Sequence, residues 1–150
     1  MNNYRDFVLE AAKKLNYRVE ELSPNESNLL RRQLIEKFVK GEPSSIFWDS
    51  YFPESYYCEN KNVWHWLDDL LAYGDAVIFF NENSETGFYK LKKEYSLSEF
   101  IGEYGYSEYY ITNEKLDYLV CCTDFHTHRA CGVAYQWLKT RDFAEHSKVK

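Results

Sequence analysis

The apolar periodicity of this chain changes once, near residue 75, and the change decides which folds are open to it. Before that point apolar residues recur at three- and four-residue spacing, the signature of helices with one buried stripe. Beyond it they come mainly in short runs that pair across polar turns. Tyr4, Phe7, Val8, Ala11, Ala12 and Leu15 form the first stripe. Ser23-Pro24-Asn25-Glu26 announces a second helix, with serine as cap, proline at the first helical position and Glu26 to close a capping box. Leu30, Leu34, Ile35, Phe38 and Val39 give that helix its inner face, and Gly41 with Pro43 stops it. Val63–Tyr73 reads as a short helix with Trp64, Leu67, Leu70 and Leu71 inward, ended by Gly74.

The strand region starts with the run Ala76–Phe80, a polar turn over Asn81–Gly87, and a return over Phe88–Leu91. Ser96–Tyr104 suits a short helix. Glu108–Thr112 and Tyr118–Thr123 pair as a second hairpin across Asn113-Glu114-Lys115. Val133–Phe143 fits a closing helix or, in its first half, another strand. Strands that come in hairpin pairs point to α+β rather than to a parallel α/β fold. The prediction is a single domain over residues 1–150: two N-terminal helices, then an antiparallel sheet of about four strands with intervening short helices, the helices in a single layer on one face.

Charge narrows the partners. Residues 42–124 hold sixteen Asp or Glu against five Lys and no Arg, a balance of −11, whereas residues 1–41 come to +2 and residues 125–150 to +3. The same middle carries 20 of the 28 Phe, Trp and Tyr. With a net charge of −6, neither nucleic acid nor an anionic membrane is an expected partner, because both attract cationic surface. Acid and aromatic residues together make a surface suited to gripping a basic protein. The stretch SSIFWDSYFPESYYCENKN, residues 44–62, has Pro53 inside it, which confines any strand there to an edge or a loop. The candidate partner contacts are Trp48, Asp49, Tyr51, Glu54, Tyr56, Tyr57 and Glu59, with Trp66, Asp68 and Asp69 on the next helix. Asp68 and Asp69 are adjacent on a helix and so point apart, as on a solvated face.

The start, MNNYRDFVLEAAKKL, lacks the basic, apolar and small-residue zones of a signal peptide. No apolar run approaches the ~20 residues of a membrane span. A soluble cytosolic protein is expected, with Cys58, Cys121, Cys122 and Cys131 as reduced thiols. A homodimer is compatible with the sequence, though no residue specifies one.

One string has the form of a catalytic motif. Asp124-Phe125-His126-Thr127-His128 resembles the first metal-binding strand of amidohydrolases and of the polymerase-and-histidinol-phosphatase family, where alternate histidines face one metal. The resemblance implies a metal-dependent hydrolase. The most complete ligand set in this chain is zinc held by Cys122, His126, His128 and Cys131. Cys131 with His126 or His128 would also make a nucleophilic pair. Against both, only 22 residues follow His128, and His65 is the only upstream histidine. The bland reading is a polar loop after a strand. No Gly-rich phosphate loop, Gly-x-Ser-x-Gly elbow or His-Glu-x-x-His is present.

From Trp64 to Gly132 the order is a Trp-rich helix, the strand Ala-Val-Ile-Phe-Phe-Asn-Glu, a Glu-Tyr-Tyr-Ile-Thr-Asn hairpin, and Leu-Val-Cys-Cys-Thr-Asp-Phe-His. This resembles small bacterial proteins that act as immunity or antitoxin partners in polymorphic toxin systems. The acidic, aromatic character is also similar to that of the SMI1/KNR4-type immunity superfamily, whose Leu-Pro…Asp-Tyr signature is missing here. The resemblance covers under half of the chain. It implies a non-catalytic protein, without cofactor, that neutralises a basic toxin domain by contact. A nucleic-acid mimic, with carboxylates standing in for phosphates along one elongated face, is the remaining alternative.

Overall fold

Both N-terminal helices form where their apolar stripes place them. The computed structural model of the protein describes residues 4–38, 54–80, 87–105, 108–124 and 127–148. Helix α1 (Tyr4–Leu15) buries Val8, Ala11 and Ala12. Helix α2 (Pro24–Phe38) opens with a reciprocal capping box. The Glu26 amide donates to Ser23 Oγ at 3.1 Å, and the Ser23 amide donates to Glu26 Oε1 at 2.9 Å.

Between these helices lies strand β1 (Val19–Glu21), and six more strands follow: β2 (Tyr56–Glu59), β3 (Ala76–Phe79), β4 (Phe88–Leu91), β5 (Tyr109–Thr112), β6 (Tyr118–Asp124) and β7 (Thr127–Gly132). They form one antiparallel sheet in the order β1-β4-β3-β5-β6-β7-β2. The other helices are a 3₁₀ helix (Val63–Tyr73), α3 (Leu97–Tyr104) and α4 (Val133–Lys148). The α+β class holds, but the expected sheet of about four strands is corrected: the described residues form seven strands and five helices. The extra strands β1, β2 and β7 are short, polar or aromatic segments. Their backbones pair because a neighbouring strand offers an edge, not because their own residues alternate strongly.

The single layer of helices is also corrected. In β3, Ala76 and Ile78 pack toward α1, the 3₁₀ helix, α3 and α4, while Val77 and Phe79 pack toward α2. Tyr109, Ile111 and Val120 join the first core; Tyr110, Leu119 and Phe88 join the second. A sheet covered on both faces explains why residues 76–80 are continuously apolar instead of alternating.

Gly132 turns β7 into α4. Its φ is +67°, and a Cβ there would lie 2.3 Å from the Asp117 carbonyl oxygen. The Val133 amide donates to that same oxygen at 2.9 Å. Among the described residues no helix is long and apolar enough to cross a membrane.

Candidate functional site

The candidate contacts Trp48, Asp49 and Tyr51 lie outside the described residues. Those that follow sit on or beside β2, an edge strand that pairs antiparallel with β7. Strand alternation divides them between the two faces of the sheet. Tyr56 goes under α4. Its hydroxyl donates to Asp142 Oδ2 at 2.6 Å, and its ring meets Tyr135 edge-on at 5.7 Å. Burial, reinforced by Asp142, pushes the Tyr56 hydroxyl up to about 12. Tyr57 goes to the other face and stays 48% exposed. Its register partner Arg129 holds a guanidinium 5.0 Å from the ring centroid, a cation–π contact that fixes the ring. Arg129 Nη1 also donates to Ser55 Oγ at 3.4 Å. Glu54 and Glu59 are exposed on either side.

The acids near Trp66 do point apart, and both are spent on tertiary contacts. Asp68 accepts from Ser96 Oγ and from the Ser98 amide, both at 2.9 Å, so it ties the 3₁₀ helix to the start of α3. Asp69 accepts from Trp137 Nε1 at 2.8 Å and from Arg141 Nε at 2.9 Å, clamping α4 to the 3₁₀ helix. Arg141 in turn lies 5.9 Å from the Trp66 ring centroid. Trp66, Asp68 and Asp69 therefore belong to the scaffold and not to one patch with Tyr57.

The zinc set divides in the same way. Cys122 and His128 are register partners on the α4 side of the sheet, whereas Cys131 packs on the α2 side. Cys131 and His128 consequently form neither a shared metal site nor a nucleophilic pair. His126 lies outside the described residues. Among the described residues no three of His, Cys, Asp and Glu gather at metal-binding distance.

His128 instead belongs to a buried row that runs across four strands in register: Tyr109, Cys122, His128 and Cys58. The Tyr109 hydroxyl lies 2.8 Å from His128 Nε2. Asp142 of α4 faces both the Tyr56 hydroxyl and the Cys58 thiol. Burial, with Asp142 nearby, pushes Cys58 up to about 12. Burial also pushes Cys131 up to about 12, opposed by Arg129 and reinforced by Glu54. Cys121 is raised well above its ordinary value, chiefly by burial. Thiols held protonated at neutral pH are poor nucleophiles and poor ligands.

Family models, curated proteins and solved structures show no match to this chain. Its functional reading therefore rests on its own side chains.

Three features of the site escaped the sequence reading. They are the stacking of Arg129 on Tyr57, the placement of Asp142 over Cys58 and the bond from Trp137 to Asp69. Each contact spans far-apart segments, so spacing along the chain carries no trace of it. A partial signal exists for Asp142, which follows Ala134 and Leu138 by eight and four residues on α4, and both of those face the core.

Proposed function

We propose that the chain is a non-catalytic binding module that captures a basic protein, in the manner of an immunity protein neutralising a toxin domain. The observation that carries the reading is Tyr57, an exposed aromatic ring on an edge strand, fixed from below by Arg129 and flanked by the exposed carboxylates of Glu54 and Glu59. A pre-ordered aromatic anchor loses little entropy on binding, and the carboxylates beside it steer a cationic partner. Chemistry finds less support. The thiols of Cys58, Cys121 and Cys131 are held protonated, and the Cys131–His128 pair is divided by the sheet. A phosphate mimic would need its carboxylates free along one face. Here Glu21, Asp69, Glu103 and Glu114 are each engaged by a separate cation.

The test uses the full chain as bait in a lysate of its source organism at low and at high salt. A basic protein is expected to be retained at low salt, released as salt rises, and lost from Tyr57→Ala and Glu59→Lys baits. Its gene is expected beside that of the bait. Retention of the same protein by both variants, or recovery of no basic protein at all, would overturn the reading.

A further inference from the structure

At the far end of the sheet from Tyr57, a cleft of about 530 Å³ is lined by Asn16, Tyr17, Arg18, Lys92, Glu94 and Tyr95. That volume lies in the range of small-molecule sites. One wall is held in place, and the other lining residues, Asn16, Arg18, Lys92 and Glu94, are exposed. The Tyr17 and Tyr95 rings stack with centroids 4.3 Å apart and planes 14° from parallel. The Tyr17 hydroxyl donates to Glu99 and accepts from the Ser96 amide, and the Tyr95 hydroxyl accepts from the Arg18 amide at 3.2 Å. Asn16 holds its place through a left-handed backbone, φ 58°, at the end of α1.

The charge arrangement is the second observation. The β1–β4 ladder ends at Val19 paired with Leu91, and the residues just beyond that end, Arg18 and Lys92, both line the cleft. Like charges at facing positions repel and cost stability. Three other cations of this chain, Arg5, Lys14 and Arg141, are each placed against an acid, Glu21, Glu103 and Asp69 respectively; Lys13, Arg32, Lys61, Lys93 and Lys115 are exposed without one among the described residues. Neither Arg18 nor Lys92 makes an ion pair with a described carboxylate. In an acidic protein, two adjacent uncompensated cations beside a preformed cleft are arranged to receive an anion.

We propose that this cleft binds a phosphorylated small molecule that also carries hydroxyl groups. Arg18 and Lys92 take the phosphate, Glu94 and the Asn16 side chain take the hydroxyls, and the Tyr17–Tyr95 stack forms one wall. Glu94 disfavours ligands that are anionic throughout and selects for a donor at the end remote from the phosphate. Sugar phosphates and nucleoside monophosphates share this chemistry, and the assignment is independent of the partner-binding reading.

The experiment titrates the full-length protein with AMP, ribose 5-phosphate and adenosine at constant ionic strength, following backbone amide shifts by NMR. Both phosphates are expected to give saturable shifts at Asn16, Arg18 and Tyr95 with Kd below about 1 mM. Adenosine is expected to give none. Tighter binding of AMP than of ribose 5-phosphate assigns a nucleotide; equal binding assigns the sugar phosphate alone. In Arg18→Ala/Lys92→Ala, whose substitutions lie at the surface, binding is expected to weaken at least about tenfold while the thermal midpoint of the ligand-free protein stays the same or rises. Absence of saturation by either phosphate, equal binding by the double variant, or adenosine binding as well as AMP would overturn the assignment, leaving Arg18 and Lys92 as two solvated cations.

Discussion

The Tyr109 hydroxyl and His128 Nε2 lie 2.8 Å apart on β5 and β7, so this hydrogen bond crosses over the intervening strand β6. Both residues are fully buried, and between them stands Cys122, register partner of each. The bond therefore ties the central hairpin to the strand that carries the edge strand β2. Tyr109→Phe keeps the ring and deletes only the hydroxyl. It is expected to lower unfolding free energy by about 1–3 kcal/mol, the cost of removing one partner from a buried polar group. Urea denaturation measures it; an unchanged midpoint would mean that the bond does not hold the two strands together.

The buried thiols and phenols predict how stability depends on alkali. Cys58 and Cys131 are pushed from an ordinary value of 9.0 up to about 12, and Tyr56 from 10.0 up to about 12, in each case chiefly by burial. In the unfolded chain these groups lose protons at their ordinary values, while the folded protein still holds them. Unfolding is thus favoured as pH rises above 9, and the stabilisation present below pH 9 is lost toward pH 12. The urea midpoint is expected to fall between about pH 8 and about pH 10.5. A flat or rising midpoint would contradict the burial of these groups. In the native protein at neutral pH the four buried cysteines should react with a thiol reagent only as fast as the fold opens.

Two glycines separate backbone strain from steric collision. Gly105 closes α3 with φ +77°, and the nearest atom to an added Cβ is the Glu103 carbonyl oxygen at 3.8 Å. Gly105→Ala is expected to cost about 1 kcal/mol, the left-handed penalty alone. At Gly132 the same penalty is joined by a contact of 2.3 Å with the Asp117 carbonyl oxygen, which the Val133 amide also uses. Gly132→Ala is expected to cost about 3 kcal/mol or more, because α4 must shift or the turn must open. Similar thermal midpoints for the two variants would show that the β7–α4 junction yields freely.

Local chemistry was legible in the sequence and long-range pairing was not. The Ser23–Glu26 box works through residues three apart and was readable. The run from Ala76 to Phe80 announced a buried strand, but not that α2 would cross to the far face of the sheet. Strand β2 was readable only as an edge or loop, since Pro53 precedes it and its pairing with β7 joins segments about seventy residues apart. Acid composition misled most at Asp69. Its partner Trp137 is 68 residues away, and only the fold converts a surface carboxylate into a clamp.

The candidate contacts themselves divide into scaffold and surface, and two substitutions separate the roles. Asp69 holds the Trp137 indole N–H and the Arg141 guanidinium, so Asp69→Ala strands two donors at the joint between α4 and the 3₁₀ helix. The expected loss is about 1–3 kcal/mol of stability, with little change in partner capture under conditions where the protein remains folded. Tyr57 is 48% exposed and its contact with Arg129 is a surface one. Tyr57→Ala is expected to cost under about 1 kcal/mol of stability while removing most partner capture, because an exposed aromatic ring contributes chiefly to what docks on it. Paired denaturation and capture measurements on the two variants read both quantities. If Asp69→Ala abolished capture without destabilising the fold, the contact surface would lie on the α4 side, and Tyr57 would be an ordinary edge-strand residue.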